Sequence, residues 1–253
     1  MNRDRLNQYR FFLKDSIRKV IDFSQTDQNR GLPPPPVQKP YSDKALRIKL
    51  PEWRREPRTG VVDLATAIGN RRSRRAYDLE PLTLRELSFL LWATQGIRRR
   101  LDAGHATRTV PSAGCRHSFE TYLCNLKTLE LERGIYRYLP LEHALLFEFT
   151  EDDLERKIVR AVLGQPYPAE ASVTFIWTTI PYRMEWRYGL AAHKVIALDA
   201  GHVCQNLYLA CEAIGAGTCA IAAYDQEYID RLLRVDGVDE YVIYLAPVGK
   251  TKK

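Results

Sequence analysis

An α+β fold is predicted by three features of the sequence. Short runs rich in β-branched and aromatic residues are mixed with long amphipathic helical patterns. The clearest strand, residues 172–180 (SVTFIWTTI), stands close to the longest helical pattern, at about residues 190–214. No regular βα alternation of the kind that builds a parallel sheet is present, and no internal repeat. With 253 residues, 45% hydrophobic and 27% charged, the chain has enough apolar content for a packed core, which excludes wholesale disorder. The longest stretches without a charged side chain, 171–182 and 213–224, fall short of the roughly 20 apolar residues of a membrane span. The N-terminus, MNRDRLNQYRFFLKD, has no hydrophobic signal core. Cys115, Cys124, Cys204, Cys211 and Cys219 are odd in number and never spaced as CxxC, which argues against a disulfide framework and a zinc site. A cytoplasmic protein with reduced thiols and no metal is expected.

Taken in order, residues 1–30 have Tyr9, Phe12, Leu13, Ile17, Val20 and Ile21 at helical spacing, so a helix is expected there. Four prolines at 33–36 block its continuation, and the following KPYSDKALRIKLPEW reads as an extended strap. Asp63 is placed to cap a short helix. Thr83 with Glu86 forms a capping box for TLRELSFLLWATQ, which stops at Gly96. A basic loop over 96–114 leads into FETYLCNL, GIYRYLP and HALLFEF, three strand candidates. A charged helix over 151–163 precedes the 172–180 strand. After the long helix, closed by Gly215 or Gly217, come a strand-like TCAIAA, a helix from Asp225 to Leu233, and a last strand, EYVIYLAPVG.

The net charge of +7 is local. Residues 1–60 hold 14 Lys/Arg against 7 Asp/Glu, and the remaining residues hold 24 of each sign. The chain therefore divides into a basic, proline-containing extension, 1–60, and a charge-balanced domain, 61–253. A nucleic-acid or anionic-membrane arm is one meaning of such asymmetry. The charges are interspersed, however, with only Arg54, Arg55 and Arg58 close together, so a solvated surface is preferred.

Five segments could carry chemistry. Arg71-Arg72-Ser73-Arg74-Arg75 crowds four guanidiniums, groups suited to phosphate, although a solvated basic turn would look the same. Pro111-Ser112-Ala113-Gly114 fixes the backbone and lets it approach a flat ligand, and alone it is a turn before a strand. Trp186-Arg187-Tyr188 is followed by a helix on which His202, Gln205 and Asn206 share a face, fitting either a ligand pocket or a structural network. The small residues of GAGTCAIAAY, 215–224, leave amides free to meet a ring nitrogen or carbonyl. The tail GKTKK, 249–253, is cationic.

In this order, RRSRR, PSAG, WRY, GHVCQN and GAGTCAIAAY resemble the nitroreductase superfamily of FMN-dependent oxidoreductases, and within it the branch of SagB-type azoline oxidases. The similarity runs from about residue 60 to the C-terminus. It implies a central, mostly antiparallel sheet flanked by helices, and an intertwined homodimer with FMN at the subunit interface. It further implies that Arg71, Arg72 and Ser73 hold the flavin phosphate and ribityl chain, and that Arg75 lies near the pyrimidine edge. Pro111, Ser112, Ala113 and Gly114 would come from the second subunit, and the amides of Ala222 and Ala223 would face flavin N5 and O4. Gln205 would join the cofactor site, with Lys250 and Lys252 closing it at the phosphate. Arg187 and Tyr188 would face substrate. The implied activity is NAD(P)H-linked reduction of a small electron-poor acceptor, with oxidation of a peptide-derived azoline as the alternative. The azoline oxidases carry Lys-Tyr where this chain has Arg187-Tyr188, and arginine stays protonated where a lysine can act as base. The rival from another class is a nucleic-acid-binding module. Residues 1–60 are expected to wrap around the second subunit.

Overall fold

The computed structural model describes residues 3–52 and 59–252, so that Arg54, Arg55 and Arg58 lie outside the described residues. In chain order the elements are α1 (Arg3–Phe11), β1 (Arg47–Lys49), α2 (Leu64–Asn70), α3 (Leu84–Gln95), β2 (Ile97–Arg100), β3 (Ala106–Arg108), β4 (Phe119–Asn125), β5 (Gly134–Leu139) and β6 (Ala144–Phe149). They continue with α4 (Leu154–Ala161), α5 (Tyr167–Glu170), β7 (Val173–Thr179), α6 (Tyr182–Tyr188), α7 (Ala192–Glu212), β8 (Ala216–Thr218), α8 (Gln226–Leu233) and β9 (Tyr241–Lys250).

Seven strands form one sheet in the order β1-β6-β5-β4-β7-β9-β8, every pair antiparallel. Successive side chains of a strand point to opposite faces, and the sheet uses both. Phe175 and Trp177 of β7 pack with Leu87, Leu90, Leu91 and Leu207 of α3 and α7 on one face. Ile176 between them packs with Leu154, Ile158, Ile229 and Leu233 of α4 and α8 on the other. Because both faces are covered, β4, β5 and β7 are buried along their whole length, and their charged members Glu120 and Arg137 are buried as a pair. The helix starts are as the sequence predicts. Asp63 accepts from Thr66 N at 2.9 Å, and Thr83 and Glu86 complete their reciprocal capping box.

Three segments differ from expectation. Residues 1–30 are not one helix. α1 ends at Phe11 and is followed by single 3-10 turns at Asp15–Lys19 and Phe23–Gln25. No side chain of α1 is buried, so nothing adds to the weak intrinsic tendency of so short a helix to propagate. The basic loop contains the β2–β3 hairpin. The strand-like TCAIAA pairs regularly only as far as Thr218, because the Ala220 N–H turns away to the Tyr208 hydroxyl at 2.9 Å; pairing resumes at one bridge, Ile221 to Leu245.

The extended strap is bonded to the domain that follows it in the same chain. The strap offers backbone carbonyls, two of them from prolines, and three buried arginines use them as acceptors. Arg116 donates to Pro35 O at 3.2 Å, Arg108 to Val37 O at 2.7 Å, and Arg137 to Lys39 O and Pro40 O at 3.0 and 3.2 Å. Glu120 accepts from Lys39 N at 2.7 Å and pairs with Arg183 at 2.5 Å. The strap then joins the sheet as β1, beside β6.

Candidate functional site

Three of the five candidate segments meet at the β8–β9 edge of the sheet. Ser73 forms a parallel bridge with Thr218, and Arg74 N donates to Thr218 O at 2.9 Å. The Tyr208 hydroxyl of α7 lies 3.0 Å from Ser73 Oγ and accepts the Ala220 N–H, so one phenol fastens the arginine run to the turn after β8. Gly217 must be glycine here: a Cβ would lie 2.7 Å from Arg74 Cδ and 2.8 Å from Thr251 Cγ2. Gly249 is similarly covered by the Tyr77 ring, whose hydroxyl bonds Pro247 O at 3.1 Å.

The guanidiniums at this edge lean on aromatic rings instead of carboxylates. Arg71 stands over Tyr208 at 5.4 Å and Arg75 over Tyr167 at 5.9 Å. Among the described residues, none of Arg71, Arg72, Arg74 and Arg75 has an acidic partner, and the buried Nε of Arg74 has no acceptor. Four like charges held together without a counterion, beside a glycine cradle, form a donor set suited to a phosphate dianion. The amides of Ala222 and Ala223 follow on the exposed side and have no acceptor among the described residues.

The other two segments meet at the opposite end of α7. The 111–114 turn packs against the end of α6, where a Cβ on Gly114 would lie 2.7 Å from Tyr188 Oη and 2.8 Å from Arg187 Nε. Gly114 has φ 59°, and the non-glycine Cys115 and His117 are also left-handed. The turn is held by Asp199 of α7, whose Oδ2 accepts from Ala113 N at 3.3 Å, and by Ser112 Oγ, which accepts from His117 N at 3.0 Å. Burial raises the Asp199 pKa, and the bonds from Ser112 and Ala113 offset part of that. Pro111 is exposed. Arg187 and Tyr188 are half-buried, with the guanidinium 5.6 Å from its neighbour's ring.

α7 therefore carries two half-sites. Asp199 and Tyr208 are nine residues apart, roughly 13.5 Å along the axis at the helical rise. Between them the expected polar face divides. Gln205 is exposed one turn before Tyr208, and His202 is exposed too, 3.8 Å from Asp199. Asn206 instead donates to Ala93 O at 2.9 Å, a structural bond, and lines an open cleft of about 660 Å³ with Trp92, Arg98 and Thr109.

The ammonium of Lys250 pairs with Glu86, the capping-box residue of α3, and donates to Ile214 O at 2.8 Å, so it ties the last strand to α3. Lys252 is exposed. Sequence reasoning missed Tyr208, Asp199 and Arg74. An aromatic residue on an apolar helix reads as core, and a lone Asp inside a helix gives no positional signal; Arg74 stood inside a recognised motif with no role given to it.

With this geometry in view, similarity to known proteins is informative. The Nitroreductase family model matches residues 68–250. The nitroreductase candidate MJ1384 of Methanocaldococcus jannaschii is 31% identical over 205 residues, covering 81% of this chain and 96% of its own. A crystal structure of a nitroreductase candidate from Ralstonia eutropha is 27% identical, covers 88% of this chain and all of that one, and superposes with a TM-score of 0.67. The fold is also shared with the Escherichia coli microcin synthetase McbBCD complex, 20% identical, TM-score 0.60, over 76% of this chain and 75% of that one. Both half-sites fall within the matched region, and the chain belongs to the nitroreductase family.

Proposed function

We propose that the protein is an FMN-dependent oxidoreductase that works as a homodimer and carries electrons from NAD(P)H to a small electron-poor organic acceptor. The observation that carries this reading is the unpaired arginine run. Four guanidiniums lack an acidic partner among the described residues, and one of them, Arg74, has a buried Nε without an acceptor and packs on the Gly217 cradle, in a domain whose charges sum to zero. A phosphate with close to two negative charges relieves their repulsion. Arg71, Arg72 and Ser73 would hold that phosphate, Arg75 would face the pyrimidine edge, and the Ala222 and Ala223 amides would meet the ring. Pro111, Ser112, Ala113 and Gly114 of the partner subunit would cover its other side. Apolar side chains left exposed on neighbouring helices, Leu64 and Ile68 of α2 and Leu198 of α7, favour such pairing.

When bound, FMN supplies hydride chemistry at its N5. The protein's part is then positioning and charge. Arg187 orients an anionic acceptor, and Tyr188 Oη offers a proton beside it. Arginine cannot serve as the base that a lysine would provide, so azoline oxidation by that route is the weaker reading. Purified protein tests the proposal: it is expected to absorb as a flavoprotein and to gain thermal stability from added FMN. A colourless protein, indifferent to FMN and binding DNA with steep salt dependence, would establish the nucleic-acid reading instead. In a flavin-loaded sample, Arg187→Ala should raise KM for para-nitrobenzoate more than for neutral nitrobenzene.

A further inference from the structure

The helix that presents Arg187 and Tyr188 is only seven residues long and is held from outside. Gln28 N donates to Trp186 O at 2.9 Å, and Trp186 Nε1 donates back to Leu32 O at 3.1 Å. The Tyr182 hydroxyl donates to Asp27 Oδ2 at 2.9 Å. Thus the strap is bonded to the first turn of α6 and, twice, to the residue just before the Arg-Tyr pair.

A second anchor comes from Arg116, which is completely buried and makes no ion pair among the described residues. Its Nε donates to Arg183 O at 2.8 Å, one Nη to Gly104 O at 2.5 Å, and the other to Pro35 O at 3.2 Å. Its guanidinium stands 4.7 Å over the Trp186 ring, and its own N–H donates to Ala113 O at 3.3 Å. The planar fork therefore ties the strap, the β2–β3 hairpin and α6 together, and the backbone N–H of the same residue adds the 111–114 turn. Its backbone lies between the left-handed Cys115 and His117, a conformation that persists only where the surroundings over-determine it.

We infer that residues 26–35 and Arg116 form a clamp that sets the orientation of α6 and of the 111–114 turn, and so the geometry of Arg187 and Tyr188 against Gly114. Trp186 and Arg116 are its positioning residues. The functional consequence rests on the reading of Arg187 and Tyr188 as substrate-facing; the mechanical coupling does not.

Two full-length variants test it. Tyr182→Phe with Trp186→Phe leaves an aromatic ring at each position and removes both side-chain links to the strap; Arg116→Lys keeps the charge and removes the fork. Amide hydrogen exchange in the double variant is expected to accelerate on the order of ten-fold in both 27–35 and 183–189, with α4 and α8 unchanged. In Arg116→Lys the acceleration should extend to 112–117. With FMN bound, KM for para-nitrobenzoate should rise at least about five-fold, and more than KM for neutral nitrobenzene. Faster exchange in the strap alone, or an equal rise throughout the molecule, overturns the clamp. An equal KM rise for the charged and the neutral acceptor would show general loosening and also overturn it. Should Arg116→Lys fail to fold, the double phenylalanine variant decides. Should the protein take up no FMN, the proposed function falls, and the exchange pattern still decides the clamp.

Discussion

Tyr208 shows how much one hydroxyl can organise. It accepts the Ala220 N–H and meets Ser73 Oγ, while its ring lies under Arg71. Tyr208→Phe keeps the ring and strands an amide, which should cost about 1 kcal/mol of stability. The same change should weaken FMN binding by releasing Ser73; thermal denaturation and an FMN titration check the two effects. The cysteines separate by environment. Burial pushes the Cys124 and Cys204 thiols up to about 12 and Cys211 well above its ordinary value, while Cys219 is closed off by the turn after β8. Only Cys115, beside Gly114, is partly exposed. A thiol reagent should therefore modify the native protein rapidly once, at Cys115, and five times after denaturation. Equal reactivity of two or more native thiols would contradict this burial pattern.

Among the elements, α3 is the most completely specified by local chemistry. Its capping box closes the first turn, and Glu86 also receives Lys250 from β9. Thr83→Ala should lower stability by about 1 kcal/mol. Glu86→Ala should cost more, since it also leaves a mostly buried ammonium without its partner. Urea denaturation of the two variants side by side measures the difference. Elements of this kind, with a cap, an apolar stripe and a stop, were readable from sequence, as were β4, β7 and β9 from their β-branched and aromatic runs. The β2–β3 hairpin was not, because GIRRRLDAGHATR shows no alternation of apolar and polar residues. The N-terminal segment departs from its helical spacing because α1 buries no side chain to stabilise a longer helix. At the site, motifs told which residues gather, and the Ser73 bridge to Thr218 and the closeness of Gly114 to Tyr188 fit that grouping. The pairing of Lys250 with Glu86 was invisible, since it joins residues 164 apart.

At the scale of the whole molecule, the buried charges make the fold acid-sensitive. Burial, and then the nearby Arg108, lowers the His117 pKa from 6.5 to about 2. The unfolded chain thus binds a proton below about pH 6.5 that the folded chain refuses, and stability falls as pH drops through that window. Glu120 acts in the same direction at lower pH. Burial alone would raise its pKa, yet Arg183, Arg137 and the Lys39 N–H together hold it below 4.5, so its contribution is full above that value and lost beneath it. Urea midpoints should decline steadily between about pH 6.5 and 4.5, and His117→Gln should flatten the decline. An unchanged slope in that variant would assign the acid sensitivity elsewhere. Light scattering should report a particle of twice the 29.2 kDa chain mass if the exposed residues of α2 and α7 meet a second copy.

The short strand β1 has one more consequence. It contributes three residues, with Arg47 and Lys49 exposed, and covers the rim of β6, whose sequence ALLFEF would otherwise present unpaired backbone along a strongly apolar run. Edges of that kind recruit other chains into insoluble assemblies, and a brief, cationic border strand is a recognised protection against it. Loosening the strap should therefore endanger solubility before it endangers the core: preparations with a detached strap are expected to precipitate on storage while their circular dichroism remains native.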